Sequence, residues 1–241
     1  MEGWCSEGIV IQARAHADHA AIVTLMTEDY GRHLGYVQGG MSSKKKANLE
    51  LGNLVSATWS ARTSDNMGAY SIEVIENNSV PLLDHFPKLL ALQSACALLN
   101  QTLAEREGHP GLYHGTLALL HALNTDVWVE SYIMWELALL KELGFGLDLT
   151  KCGGGGASND LCYVSPKTAL ASSKEKGAPY ADKLLSLPQF LLGKEDMDAN
   201  QAICDGLKIG AYFLEHRVLA HTNYTSLPEP RMALYQHFLS E

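Results

Sequence analysis

The stretch LVSATWSAR, residues 54–62, decides the fold class of the first third of the chain. Every second residue from Val55 to Ala61 is apolar, and the residues between them are polar. AYSIEVIE, residues 69–76, repeats this alternation after a polar segment, TSDNMG. An apolar residue at every second position is the pattern of a strand with one buried face. The two segments therefore predict two β-strands joined by a turn.

Three further strands are predicted on the N-terminal side of this pair. GIVIQARAH (8–16) and AAIVTLMTED (20–29) are short, rich in Val, Ile and Thr, and separated by polar residues, and GRHLGYVQ (31–38) follows after an Asp-Tyr-Gly turn. Five short strands in one region predict a small barrel, and the five-stranded oligonucleotide-binding fold (OB-fold) is the commonest barrel of that size. We therefore predict an α+β chain whose residues 1–80 form an OB-fold domain.

Beyond Pro81 the apolar residues recur at helical spacing. The predicted helices lie within PLLDHFPKLLALQSACALLNQTLAER (81–106), GLYHGTLALLHALN (111–124), ESYIMWELALLKELGFG (130–146), ADKLLSLPQFLL (181–192) and NQAICDGLKIGAYFLEHRVLAH (200–221). Gly144 is the predicted C-cap of the third helix. A glycine-rich insertion at about 151–179 is predicted as a flexible hairpin between helices. Residues 81–241 are thus predicted to form a C-terminal helical domain that contains this insertion.

The chain is acidic, with a formal net charge of -9, and the charge is unevenly distributed. Residues 1–80 hold six Lys or Arg against nine Asp or Glu, residues 81–150 three against eight, and residues 151–241 nine against ten. A protein that binds mainly nucleic acid is more often basic, so a nucleic-acid site here requires a local cationic patch. The lysine triplet at residues 44–46 is either a solvated loop or a contact for a polyanion.

Motifs for catalysis and for metal binding are absent from the sequence. The four glycines after Cys152 lack the Gly-Lys-Ser/Thr of a phosphate-binding loop. Cys152 and Cys162 are two of five scattered cysteines, and neither has a partner at the C-x2-C spacing of a structural zinc site. No H-E-x-x-H or G-x-S-x-G segment occurs. We predict a protein without enzymatic activity, metal or cofactor.

The first ten residues and the lengths of the apolar runs indicate where in the cell the protein is expected. MEGWCSEGIV carries acids where a signal peptide carries cations. No apolar run approaches the roughly 20 residues of a membrane span. We expect a cytoplasmic protein that does not bind a membrane.

Three segments carry a family resemblance: GIVIQARAHADHAAIVTLMTEDYGRHLGYVQGG (8–40), WELALLKELGFGLDLTKC (135–152) and NDLCYVSPKTALAS (159–172). In this order and at this spacing they resemble the RecO family of bacterial DNA repair and recombination mediators, over essentially the whole chain. The resemblance implies an OB-fold followed by a helical domain, binding of single- and double-stranded DNA, and strand annealing. It also implies the partners of the RecFOR pathway, RecR and the single-strand-binding protein, with which the family loads recombinase.

The resemblance also leads to expectations about a zinc site and about a binding site for the single-strand-binding protein. Some relatives carry a four-cysteine zinc module in the insertion, whereas this chain keeps Cys152 and has glycines where the second cysteine would fall. We therefore expect no zinc. The family's helical domain presents basic residues near a pocket for the acidic, apolar tail of the single-strand-binding protein. Lys208, Arg217 and Arg231 are candidates for that role on charge alone.

OB-folds bind nucleic acid on strands 2 and 3 and on the loops that join strands 1 to 2 and 4 to 5. The predicted DNA-binding residues are Arg14, Arg32, Lys44, Lys45, Lys46 and Arg62. His16 and His19 fall near the first of the two loops. Trp59 has two interpretations, a ring that stacks on a base or a core residue, and the core position is the commoner for a strand tryptophan in a small barrel.

The predicted function is that of a non-enzymatic recombination mediator. The alternative is a protein-only adaptor of the same architecture with little DNA affinity of its own, which the net charge of -9 favours and the lysine triplet opposes. A third class, a metal-dependent nuclease, requires convergent carboxylates or His and Cys ligands that the sequence does not offer.

Overall fold

The computed structural model describes residues 2–16 and 19–240, with the side chains of Ser43 and Lys44 left out. The chain divides into two compact units, Met1–Asp126 and Val127–Glu241. Each unit has its own buried core.

The first unit is built on a closed five-stranded barrel. Its strands are β1 (Glu2–His16), β2 (Ala20–Thr27), β3 (Gly31–Val37), β4 (Leu54–Ala61) and β5 (Ala69–Glu76). They pair in the order β1-β2-β3-β5-β4, and β1 closes the barrel by pairing with β4. The β3–β5 contact is parallel and the other pairs are antiparallel. The predicted five-stranded OB-fold barrel is thereby confirmed.

One strand is longer than its sequence pattern predicted. The prediction began β1 at Gly8, whereas the strand begins at Glu2. Residues 2–9 pair with residues 61–54 of β4, and Trp4 lies opposite Trp59 in this register. The pairing partner is some 50 residues away along the chain, so the local alternation of residues carries no sign of it.

The apolar faces predicted for β4 and β5 point into the barrel. Val55, Ala57 and Trp59 are at most 4% exposed and belong to one hydrophobic cluster with Tyr70. The Trp59 indole Nε1 donates to the backbone oxygen of Met67 at 2.8 Å. Trp59 is therefore a core residue, and the base-stacking interpretation of its ring is wrong.

Three helices complete the first unit: α1 (Ser43–Lys46), α2 (Phe86–Thr102) and α3 (Pro110–Ala122). Helix α2 contacts β1, and α3 contacts β2. Thr24 and Met26, whose sequence positions alternate with the inward-facing residues of β2, are fully buried, and Thr116 of α3 places its hydroxyl 3.9 Å from the Met26 sulfur. Because these helices cover part of the barrel's outer surface, the first compact unit continues past residue 80 to Asp126.

The segment between α2 and α3 runs along β3. Arg106 donates its backbone N–H to the Arg32 oxygen at 2.9 Å, and Glu105 forms a parallel bridge with Arg32. Gly31 has φ +57° and lies against the Glu107 backbone, which leaves no space for a side chain. The segment thus supplies backbone partners to β3 at the end of the strand that lies away from its single pair with β5.

The second unit combines helices with a four-stranded sheet. The helices are α4 (Trp128–Glu142), α5 (Lys174–Gly177), α6 (Ala199–Phe213) and α7 (Glu229–Leu239), and a π-helical turn at Leu214–Val218 follows α6. The strands are β6 (Asp148–Cys152), β7 (Leu161–Val164), β8 (Leu170–Ser173) and β9 (Leu185–Ser186), in the order β6-β8-β7-β9.

This sheet corrects two predictions about the second unit. The glycine-rich insertion forms strands and the short helix α5, and it is not a plain hairpin. ADKLLSLPQFLL does not form an α-helix, because Leu185 and Ser186 pair with β7 and Pro188 follows them. The predicted C-cap of α4 is confirmed. Gly144 has φ +85°, and Phe145 N–H donates to the Leu140 oxygen at 2.8 Å, as in a Schellman motif.

A buried ion pair joins the helices of the second unit. Arg231 of α7 is fully buried and donates from Nε and Nη2 to the two carboxylate oxygens of Glu136, the latter at 2.9 Å. The Tyr132 hydroxyl donates to the same carboxylate at 2.7 Å. Gly210 of α6 lies so close to this carboxylate that a side chain there would overlap it. The pair therefore connects α4 with α7 at a point where α6 lies directly beside it.

Candidate nucleic-acid interface

Strand pairing aligns Arg14, Ile22 and Tyr36 in one row across β1, β2 and β3. Paired residues of antiparallel strands project to the same side of a sheet. Gly35 and Val37, the neighbours of Tyr36, are buried, whereas Tyr36 is half-buried and Arg14 exposed. The row therefore lies on the outer face of the barrel, where Arg14 and Tyr36 stand on either side of the buried Ile22, on the strands that OB-folds use for nucleic acid.

Two more polar side chains lie beside this row. The His16 ring meets the Tyr36 ring nearly at right angles, with centroids 5.9 Å apart. Lys45 of α1 reaches the end of β3, where its Nζ donates to the Gln38 backbone oxygen at 3.0 Å. We call Arg14, His16, Tyr36 and Lys45 the Tyr36 surface. It combines cations, which bind phosphates, with aromatic rings, which bind bases.

Other predicted DNA-binding residues flank the Tyr36 surface or lie outside the description. Arg62 is exposed at the start of the β4–β5 loop, and Gly68 at the end of that loop accepts the Tyr36 N–H at 3.0 Å. Lys46 is exposed at the end of α1. The backbone of Lys44 belongs to α1, but its side chain lies outside the described residues.

Arg32 occupies a different position from the other predicted residues. It lies four residues before Tyr36 on β3, a separation of about 13 Å along a strand. Its half-buried side chain donates from Nε to the Leu103 backbone oxygen at 2.9 Å. Arg32 therefore holds the α2–α3 segment in place, and its contact with DNA stays a prediction.

The β4–β5 loop is held by Arg106, a residue that the sequence did not single out. Its guanidinium donates to the backbone oxygens of Ser64 and, at 2.9 Å, of Asn66, and it lies 6.0 Å from the Trp59 ring centroid. The Arg106 backbone has φ +63°, a value uncommon for residues other than glycine. Arg106 thus fixes the shape of a loop that OB-folds use for binding.

Tyr36 is also a residue that sequence reasoning missed. It stands in the quoted strand GRHLGYVQ, where it alternates with the inward-facing positions. Its outward direction follows from that alternation. The ring's proximity to His16 does not, because it depends on the register between β1, β2 and β3.

His33 is a buried neutral side chain, in contrast to the exposed His16. The rings of Trp4 and Trp59 lie 5.1 and 5.0 Å from the His33 ring, and the Tyr70 hydroxyl lies 2.9 Å from its Nδ1. Burial, helped by the nearby Arg106 charge, lowers the pKa of His33 to about 4. At neutral pH His33 is therefore an uncharged part of the barrel core.

The two cysteines of the insertion do not fit a shared zinc site. Cys152 lies on β6 and Cys162 on β7, and β8 runs between these strands. Cys152 and Val164 share the pairing partner Ala171, so Cys162 lies two residues along β7 from the position level with Cys152. The two backbones are thus more than about 10 Å apart, whereas Zn–S bonds of about 2.3 Å bring two thiolates within about 4 Å of each other. Cys152 instead accepts the Ser173 N–H at 3.3 Å, which is the largest contribution in lowering the pKa of its thiol to about 6.

A cavity of about 700 Å³ opens in the second unit. Four basic side chains line it, and no Asp or Glu of the described residues does: Lys167, Lys176, Lys183 and Arg217. The remaining lining is mainly apolar or aromatic, including Leu170, Leu184, Tyr180 and Tyr212. Its volume lies in the range of ligand pockets, and its lining suits a ligand that is both acidic and apolar.

The three basic residues proposed on charge alone have different surroundings. Arg217 lines this cavity and donates to the Lys167 oxygen at 2.8 Å. Lys208 lines a separate depression that also contains Asp198 and Asp205. Arg231 is paired with Glu136 in the core and has no access to a ligand.

Comparison with known sequences identifies the family. The family model described as recombination protein O N terminal matches residues 1–78, and the one described as recombination protein O C terminal matches residues 84–223. The chain belongs to the RecO family. The two RecO matches together cover most of the barrel unit and much of the second unit.

Curated RecO proteins resemble the chain over nearly its full length. The DNA repair protein RecO of Rhodospirillum rubrum is 44% identical over 91% of this chain and 90% of its own length, and that of Rhodospirillum centenum is 43% identical over 90% and 87%. The corresponding protein of Jannaschia is 38% identical over 96% of this chain and 94% of its own. The chain is thus a member of a DNA repair and recombination family. None of its described helices is long and apolar enough to cross a membrane.

Proposed function

We propose that the protein is a non-enzymatic recombination mediator of the cytoplasm. It binds single- and double-stranded DNA through the barrel, anneals complementary strands and helps load recombinase onto DNA coated with the single-strand-binding protein. The Tyr36 surface is the observation that carries this proposal, because it combines Arg14 and Lys45 with the exposed His16 ring and the half-buried Tyr36 ring on the nucleic-acid face of an OB-fold.

Local charge explains how an acidic chain binds a polyanion. Among the cations of residues 1–80, Arg14, Lys45, Lys46 and Arg62 are exposed. None of these four makes an ion pair among the described residues, so their charges are free for phosphates. Each lysine that meets a phosphate releases counterions, and DNA affinity therefore falls with salt.

The salt dependence of binding tests the proposal. A Lys45→Ala, Lys46→Ala double variant should lower the slope of log affinity against log salt by up to about 1.4 on single-stranded DNA, or about 0.7 for each lysine. Its thermal stability should stay nearly unchanged, because exposed substitutions usually cost within about 0.5 kcal/mol. The measurement is titration of labelled single strands at four salt concentrations.

A Lys141→Ala, Lys151→Ala variant, which removes two exposed lysines of the second unit, is the matched control and should keep the wild-type slope. Parallel salt plots for the wild type and the Lys45, Lys46 variant would show that the lysines of α1 are not part of the interface. Absence of DNA binding by the wild type at low salt would favour the protein-only adaptor.

We propose that the chain catalyses no chemical step. Glu136, a buried acid of the α4 segment, is committed to Arg231 and Tyr132. Among the described residues no three His, Cys, Asp or Glu side chains are grouped as metal ligands. Annealing should proceed without nucleotide hydrolysis, with or without magnesium. Nuclease or ATPase activity that copurifies with the chain and disappears in an Asp148→Asn variant would contradict this proposal.

The cavity of the second unit supports a second role, the binding of the acidic, apolar tail of the single-strand-binding protein. Four basic side chains complement the charge of such a tail, and the apolar lining complements its hydrophobic residues. A labelled peptide of that tail should bind the wild type and lose affinity in a Lys176→Ala, Arg217→Ala variant. DNA binding should be unchanged in the same variant. We propose RecR as the other partner, from family membership alone.

A further inference from the structure

We infer that Tyr36 and His16 form a base-stacking site through which the barrel selects unpaired strands. The inference rests on the proposed DNA binding and goes beyond it, because it names the structural feature of the nucleic acid that is recognised. Phosphate contacts alone do not distinguish a strand with bases from one without them. A stacking site does, since it needs a free base face.

The backbone holds Tyr36 rigidly in an outward direction. On one side β3 pairs with β2, where Tyr36 is opposite Ile22. On the other side the Tyr36 N–H donates to Gly68 at 3.0 Å, next to the β3–β5 pair of Tyr36 with Ala69. Pairing on both edges fixes the Tyr36 backbone and the direction in which its side chain leaves the sheet, so no backbone has to be ordered when a base stacks on the ring.

The contact between the two rings leaves ring surface available. The His16 and Tyr36 planes meet at 86°, so an edge of one ring faces the plane of the other. In such an arrangement each ring keeps at least one face that the other does not cover. His16 is exposed and Tyr36 is only half-buried. Trp59, by contrast, has its ring in the core and offers no face to a ligand.

Two cations lie near this pair. Arg14 stands in the same cross-strand row as Tyr36, two strand spacings away, which is about 9.5 Å. Lys45 is bound to Gln38, two residues beyond Tyr36. A base stacked on Tyr36 has a phosphate on each side along its strand, and Arg14 and Lys45 are the cations of the Tyr36 surface that would meet them. In a duplex the base faces are covered by neighbouring pairs, so only an unpaired strand can use the site.

The test compares three labelled probes of equal length on the full chain. The probes are an oligo-dT strand, an abasic strand with the same phosphates, and a duplex. A Tyr36→Ala variant should lose roughly 5- to 150-fold in affinity for oligo-dT, the range expected for one stacked base. Its affinity for the abasic strand and for the duplex should stay within about twofold, because the cations are unchanged.

Two further Tyr36 variants separate stacking from folding. Tyr36→Phe keeps the ring and should bind oligo-dT almost as the wild type does. Tyr36→Leu keeps an apolar side chain without a ring, and it should lose affinity for oligo-dT alone, which provides the test if the alanine variant does not fold. Lys45→Ala should weaken binding of oligo-dT and of the abasic strand by the same factor.

Equal losses on oligo-dT and the abasic strand in the Tyr36→Leu variant would overturn the inference. A Tyr36→Phe variant as weak as Tyr36→Leu would also overturn it. A wild type that binds the abasic strand as tightly as oligo-dT would contradict the inference while leaving the proposed DNA binding intact. A wild type that binds none of the probes would instead remove the proposed function, and the inference with it.

Discussion

Single residues in this protein take their roles from surroundings that their sequence neighbours do not indicate. His16 and His33 lie 17 residues apart in the same barrel. His16 is exposed beside Tyr36, whereas His33 is only 3% exposed among aromatic rings. The same contrast separates Arg14, which is free for a ligand, from Arg32, whose Nε is bound to Leu103. Equal residue types thus serve binding in one case and folding in the other.

The low pKa of His33 predicts an acid-sensitive fold. Its pKa of about 4 in the folded barrel lies below the ordinary value of 6.5, so the unfolded chain binds the proton more tightly. The free energy of unfolding therefore has its full value above pH 6.5, where His33 is neutral in both states, and it decreases as the pH falls toward 4. From pH 7.5 to pH 5 this loss should be about 2 kcal/mol.

Urea unfolding of the wild type and of a His33→Asn variant at both pH values measures the effect. The variant should unfold more easily at pH 7.5, and its stability should fall less between the two pH values. An identical pH dependence in the two proteins would show that His33 does not take up a proton on unfolding.

At the scale of elements, the sequence predicts what local alternation encodes and misses what distant pairing creates. Strands β4 and β5 were predictable because their side chains alternate, β2 because it is short and rich in Val, Ile and Thr, and the C-cap of α4 because Gly144 suits a left-handed residue. The first half of β1 was missed because its partner is β4. The sheet of the insertion was missed because the chain that connects β6 to β8 contains many residues of low strand propensity.

The same division applies to the candidate site. The cations at positions 14, 45, 46 and 62 were recognisable as cations on or near binding strands and loops. The role of Arg106 was not recognisable, because it acts on a loop 40 residues earlier in the chain. Nor was the burial of Arg231, whose partner Glu136 lies 95 residues away.

Alanine substitutions at two helical glycines should change the stability of the chain in opposite directions, because one glycine is closely packed and the other is not. Gly210→Ala should destabilise the second unit by about 1–3 kcal/mol, because its methyl group would overlap the Glu136 carboxylate. Gly115→Ala in α3, where no atom lies within 4 Å of the added methyl group, should stabilise the chain by up to about 1 kcal/mol. Chemical denaturation of the full chain measures both, and a neutral Gly210→Ala would contradict the packing described for Glu136.

At the scale of the whole molecule, the barrel depends on helices that follow it in sequence. Thr24 and Met26 are fully buried although they alternate with the inward-facing residues of β2, and Thr116 of α3 reaches the Met26 sulfur. Leu103 and Arg106 supply partners to Arg32. A barrel cut at residue 80 therefore exposes apolar surface that the full first unit covers.

Two fragments test this dependence. Residues 1–126 should fold cooperatively, with a near-ultraviolet circular dichroism signal from the packed Trp4 and Trp59 rings. Residues 1–80 should lack that signal and bind a hydrophobic dye. Cooperative unfolding of the shorter fragment, with the same near-ultraviolet signal, would show that the barrel is stable without α2 and α3.

The α2–α3 segment that lies along β3 also limits self-association of the protein. A strand with unoccupied N–H and C=O groups is a template on which a second chain can add a strand, and growth by that route ends in aggregates. Here the backbones of Glu105 and Arg106 occupy those groups at Arg32. Detachment of this segment would leave β3 with an edge on which a second copy can pair, so the segment protects the barrel against self-association as well as holding its shape.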